Sequence, residues 1–151
     1  MNDEFTERPA FVRVIVDSLP DPTSSHHPHC VIANDFVFVS GLVAEQRADG
    51  SRVGVEDSQT GRVHDLRAQM HSIFQQLDVI LYTAGSNKTL VVDVQVFLLR
   101  MPENFAVMND VYGTYFGDKV PARTTVEVVR FPSDVLIELK VVASVGNPSH
   151  D

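Results

Sequence analysis

The stretch PARTTVEVVRF, from Pro121 to Phe131, sets an arginine where a strand would leave a loop. Val126, Val128 and Val129 stand among Thr and Glu in near-alternation, the pattern of a half-buried strand. Arg123 at its mouth has two readings. Either it is a surface charge closing a loop, or it is a receptor for a carboxylate, whose two oxygens match the planar donor fork of a guanidinium. Glu138 is the second residue to weigh, because it interrupts Leu136–Val142, where only Lys140 is otherwise polar. Perturbed carboxylates are enriched at functional sites, yet one in such a setting is more often a paired structural ion or an interface contact.

Other clusters carry less chemistry. His26, His27, His29 and Cys30 in HHPHC are zinc-ligand types, but no second ligand pair follows at usable spacing. His64 and His71 lie seven residues apart, two helical turns, too far to chelate one ion together. The HHPHC histidines therefore read as loop residues with one pointing into a pocket, and no metal is expected. Ser40 in VSG lacks the glycines of a nucleophile elbow and a His–Asp partner at suggestive spacing, so covalent catalysis is not expected from it or from Cys30. No Gly-rich phosphate loop stands in the chain, so no nucleotide cofactor is expected. Asn109 and Tyr112, three apart, share one helix face and either fill the core or reach a ligand.

These side chains need elements to position them. The 151 residues make one domain, with a core from about 11 to 145 between a loose N-terminal end and a flexible tail. Phe11–Ser18 alternates as a strand, and Leu19–His29, crowded with Pro, Ser and His, is loop. Cys30–Gly41 holds two apolar runs about Asn34-Asp35, a tight hairpin signal. Leu42–Gly61, polar and rich in Gly and Asp, reads as a long mobile connection. From His64 to Ala84 the apolar residues recur at helical spacing, with Asp65 suited to the start and Gly85 to the end. Thr89–Leu99 is a strand and Pro102–Phe116 a second helix, whose stripe is Phe105, Met108, Tyr112, Tyr115 and Phe116. Two last strands, Pro121–Phe131 and Leu136–Val145, are expected to pair as an antiparallel hairpin about Pro132–Asp134. The order gives an α+β fold, one mixed sheet covered on one face by two helices. Val12, Val14, Val16, Val94, Val96, Leu139 and Val141 supply more apolar strand surface than two helices cover, so a ring-like homo-oligomer is expected.

Composition narrows the partners. A formal charge of −8 with no basic block opposes nucleic-acid binding and repels acidic substrates at long range. A small anion would need a local cluster of Arg or His. No apolar run is long enough to cross a bilayer, and the acidic N-terminus with a lone cysteine points to the reducing cytoplasm.

FVFVSG, DLRAQMHSIFQQLDVILYTAG, NFAVMNDVYGTYF and PARTTVEVVRFPSDVLIELKVVA together resemble the Rid (YjgF-type reactive intermediate deaminase) family over most of Cys30–Ala143. The resemblance implies a chorismate-mutase-like fold assembled as a homotrimer, with sheets lining a central barrel and active clefts between subunits. It implies that Arg123 binds a substrate carboxylate and Glu138 holds the attacking water, with Asn109, Thr125 and the backbone at Ser40–Gly41 around them. Within the family, Pro28-His29, FVFVSG, DLRAQ and ARTTV are most similar to the 2-aminomuconate deaminases. The expected reaction is hydrolysis of a 2-amino-2-enoate dicarboxylate, through its imine, to a 2-keto acid and ammonia, without cofactor. His29 is the candidate for the second carboxylate or for protonating the enamine carbon. The rivals are a general 2-iminoacid deaminase, a non-catalytic trimeric metabolite-binding module, a chorismate mutase and an endoribonuclease.

Overall fold

The computed structural model describes residues 10–146, and the loose end and tail expected above fall largely on residues 1–9 and 147–151, outside that range. In chain order the elements are β1 (Val12–Val14), β2 (Cys30–Ala33), β3 (Phe36–Leu42), β4 (Val55–Ser58), β5 (Gly61–His64), α1 (Leu66–Thr83), β6 (Val91–Leu98), α2 (Met101–Phe116), β7 (Ala122–Glu127) and β8 (Ile137–Ser144). Six strands form one mixed sheet in the order β1-β2-β3-β8-β6-β7, while β4 and β5 pair separately. The β2–β3 hairpin closes on Asn34 and Asp35 as expected, with Asn34 at φ 52°, a left-handed conformation that Asn tolerates. β1 is shorter than Phe11–Ser18, because the Val16 N–H donates to His29 Nδ1 in place of a neighbouring strand.

The last two strands do not form a hairpin. β8 pairs antiparallel with both β3 and β6, and β7 pairs parallel with β6 from the other side. The Val128 N–H donates to the Leu98 carbonyl and the Leu99 N–H to the Leu136 carbonyl, so the connection wraps past the end of β6 instead of turning back. The apolar side chains explain the order. Val94, Val96 and Leu98 of β6 are fully buried and need neighbours on both sides, whereas β7 buries no residue and suits an edge. The α2 crossover permits the parallel pair.

α1 begins at Asp65, whose carboxylate accepts from the Ala68 N–H, and ends before Gly85 at φ 76°. It lays Met70, Ile73, Leu77, Ile80 and Leu81 on Val37, Val39, Val94, Val96, Leu139 and Val141. The valines and leucines expected to overload the sheet are thus mostly its covered face. The open face carries other apolar groups, among them Phe36 and Phe38, 43% and 41% exposed, and Val126. On α2, Met108, Val111, Tyr112 and Phe116 are buried and Tyr115 stacks on Phe74, but Phe105 is exposed and lies off the stripe.

The connection expected to be mobile is anchored. The Glu45 N–H donates to Ser72 Oγ, and Gln76 Nε2 donates to the Val43 carbonyl, tying its start to α1. Gln46 and Arg52 form a β-bridge, and β4–β5 follow as a small hairpin. Arg62 joins Asp57 and Asp134 at 3.0 and 2.8 Å, and His64 reaches Asp134 at 2.6 Å, which fastens that hairpin to the loop before β8.

Candidate functional site

Arg123 is the second residue of β7, opposite Val94, so its side chain lies on the helix-covered side of the sheet, at the edge. There the guanidinium sits 4.8 Å from the ring centroid of Tyr112, and Nη1 donates to Asn109 Oδ1 at 2.9 Å. The three-residue spacing on α2 thus sets an amide and an aromatic face under one cation. Arg123 makes no ion pair among the described residues, which leaves the rest of its donor fork for an anion. Thr125, opposite Val96, is on the same side, and its Oγ1 is buried without a hydrogen-bond partner. The Tyr112 hydroxyl is likewise unpartnered, and burial pushes its pKa up to about 12 despite the neighbouring guanidinium.

Glu138 belongs to a second cluster. Three steps along β3 match two along β8 between Val39↔Val141 and Leu42↔Leu139, so Ser40 and Gly41 form a bulge. Lys140 Nζ donates to the Val39 carbonyl at 2.6 Å and steadies it. Gly41 leaves room for the Glu138 carboxylate in this position, because a Cβ there would collide with Glu138 Oε1. Burial raises the Glu138 pKa above its ordinary 4.5, with His27 pulling the other way. Ser25, His27, Ser40, Gly41, Arg52 and Glu138 line a cavity of about 650 Å³ with Val43, Pro132 and Ser133.

Ser40 Oγ donates to the Pro28 carbonyl at 2.7 Å and the Ser40 N–H to the His29 carbonyl at 3.0 Å, so the serine braces the bulge against the histidine loop. His29 does not have the freedom expected of it. It is 6% exposed, its Nδ1 accepts from the Val16 N–H at 2.9 Å, and Nε2 lies 3.1 Å from the Pro20 carbonyl. That pairing fixes a neutral ring with its proton on Nε2, and burial lowers the pKa further. A ring with both nitrogens engaged offers nothing to a carboxylate. The loop histidine that lines the cavity with Glu138 is His27, whereas His29 borders only a neighbouring one of about 190 Å³.

Glu138 pairs with Phe97 on β6, three residues on from the Val94 that pairs with Arg123, so the two side chains lie on opposite faces of the sheet. Arg123, Asn109 and Thr125 form one cluster, and Glu138, Ser40 and Gly41 another. One chain does not bring the two clusters together. Arg52, from the stretch read as mobile, was invisible to pattern reasoning, since a polar loop has no period to place its side chains. Cys30 is buried, and the apolar surroundings push its thiol up to about 11, which suits packing. Among the described residues no three His, Cys, Asp or Glu side chains converge as metal ligands. No described helix is long and apolar enough to cross a membrane.

The family described as Endoribonuclease L-PSP matches residues 7–145. A RutC family protein of Sulfurisphaera tokodaii is 42% identical over 135 residues, 88% of this chain and 98% of that protein. The mitochondrial protein MMF1 of Saccharomyces cerevisiae is 33% identical over 125 residues, 83% of this chain and 79% of that one. The crystal structure of yeast Mmf1 superposes with a TM-score of 0.75 at 30% identity, covering 90% of this chain and 99% of that chain. The Rid family protein YyfA of Yersinia pestis, a protein of unknown function, gives 0.76 at 26% identity, covering 90% and 100%. The chain therefore belongs to the Rid/YjgF/RutC family, the family of Endoribonuclease L-PSP.

Proposed function

We propose that this protein is an imine deaminase that hydrolyses a 2-amino-2-enoate dicarboxylate such as 2-aminomuconate. Family membership supports imine chemistry at the level of class; the dicarboxylate is our own reading. The observation that carries it is the division of labour between the two clusters. A guanidinium without a counter-ion among the described residues is held on Asn109 and Tyr112, and a carboxylate of raised pKa is held in a cavity on the other face. Assembly into a homotrimer, driven by the apolar open face with Phe36 and Phe38, would set Arg123 of one copy against Glu138 of the next.

In that cleft Arg123 grips the 1-carboxylate in a bidentate pair and holds the reacting carbon in register. The enamine tautomerises to its imine. Glu138 takes a proton from water as the oxygen bonds to the carbon of the protonated imine, whose C=N electron pair moves onto nitrogen and gives a neutral carbinolamine. Glu138 then returns its proton to nitrogen, the C–N bond breaks and ammonia leaves, while the hydroxyl gives its proton to the Glu138 carboxylate as its oxygen becomes the 2-keto oxygen; the departing ammonia carries that proton away as ammonium. No step needs an oxidant. A carboxyl with a raised pKa is suited to both directions of proton transfer.

The test is ammonia release from freshly generated 2-aminomuconate, with simple amino-acid-derived imines beside it. Wild-type release above the spontaneous rate, lost in Arg123→Ala, is the expected result. Turnover of the simple imines alone would reassign the protein as a general 2-iminoacid deaminase, and release at the spontaneous rate throughout would leave a binding module. Cleavage of RNA, which the family's description suggests and the charge of −8 opposes, is the remaining outcome to measure.

A further inference from the structure

Arg52 is a cation without an assigned role. It stands at the Gln46↔Arg52 bridge, is half-buried, and its Nη1 donates to the Ala44 carbonyl at 2.5 Å, so backbone and guanidinium are both held. The side chain lines the same cavity as Glu138, yet the two charges form no ion pair, so they face the cavity separately. Asp57 and Asp134 line an adjoining cavity of about 330 Å³ that Arg52 also borders. Both are engaged elsewhere: Arg62 bonds each of them, and His64 takes the second oxygen of Asp134. Arg52 is therefore left without a carboxylate among the described residues, in a chain whose formal charge is −8. A half-buried cation held in place without a counter-ion is unfavourable unless an anion completes it.

We infer that Arg52 is the receptor for a second carboxylate on the substrate, at the far end of a short dicarboxylate whose first carboxylate meets Arg123. The inference rests on the deaminase reading for turnover, but its binding chemistry stands apart from it. The anion is a carboxylate and not a phosphate. A single donor fork matches one monoanionic group, whereas a dianion beside Glu138 would meet repulsion with no second cation of fixed charge lining the cavity. A cavity of about 650 Å³ has room for a six-carbon chain. Arg52 would thus select diacids over monoacids, the task expected of His29.

The experiment is calorimetric titration of the assembled protein with muconate and with sorbate, a diacid and a monoacid of the same length and unsaturation. Wild type is expected to bind muconate about tenfold or more tightly than sorbate, the value of one charge-assisted contact. Arg52→Gln should bring the two affinities together, Arg52→Lys should keep part of the preference, and the exposed Arg47→Gln should keep all of it. In turnover, Arg52→Gln should raise KM for 2-aminomuconate more than it lowers kcat. Sedimentation of each variant separates lost binding from lost assembly. An equal preference in wild type and an assembled Arg52→Gln would overturn the assignment, and so would a wild type that does not favour the diacid. Diacid preference carried by Arg52 without ammonia release from any imine would sink the deaminase reading alone. Imine turnover without diacid preference would sink this inference alone.

Discussion

A guanidinium laid over a tyrosine ring and held at one nitrogen by an amide has lost most of its freedom before any anion arrives. Arg123 is held in this way, so the carboxylate of the proposed substrate would meet a preformed fork. Lysine keeps the charge but neither the fork nor the stacking. Arg123→Lys is therefore expected to lower kcat/KM for ammonia release by about 10–100-fold, as for loss of one charge-assisted hydrogen bond, with the fold intact by circular dichroism. Glu138 gives a prediction of stability. Burial raises its pKa in the folded chain above the ordinary 4.5. The folded state thus binds the proton more tightly than the unfolded one. The unfavourable burial of the charge is absent below the ordinary value and grows as pH rises through the folded value. Glu138→Gln should be the more stable protein at neutral pH, inactive, with its advantage closing in acid; urea titrations across pH read this directly.

At the scale of elements, the β3 bulge and the loop before β8 aim Glu138. Gly41→Ala puts a methyl group where the carboxylate lies, so Glu138 must swing away. Activity should fall strongly while the melting temperature changes little, since the bulge is at the surface of the cavity. Gln69 acts from further off. Fully buried in α1, it accepts from the Leu136 N–H at 2.8 Å and holds the start of β8. Gln69→Ala leaves that N–H unsatisfied and should cost about 1–3 kcal/mol in urea unfolding, with faster hydrogen exchange at Leu136.

At the scale of the whole molecule, opposite faces of one sheet carry the Arg123 and Glu138 clusters, so the proposed site requires a second copy. Mixing provides the test. Arg123→Ala and Glu138→Gln chains, each inactive alone, should regain activity when unfolded and refolded together. Random assembly gives both native partners at about a quarter of the interfaces. No recovery in trimers shown to be mixed would place the site within one chain and defeat the assembly. Phe38→Asp on the open face should yield monomers by sedimentation and abolish turnover together.

Much of this was legible in the residues alone, for a physical reason. The 3.6-residue stripe of α1, the alternation of β6 and β8 and the Asn-Asp turn depend on neighbours in the chain, and so did the elements, the mixed sheet under two helices, and the suspicion attached to Arg123 and Glu138. What tertiary structure alone decided depends on contacts between distant segments. β6 enters between β7 and β8 because its side chains need burial on a scale no local turn signal reports. His29 is silenced by the backbone of Val16 and Pro20, and His27 takes its place at the pocket. Arg52 reaches Glu138's cavity because Ser72 and Gln76 of α1 hold its loop there. Periodicity names which side chains are buried; only the folded chain sets which ones meet.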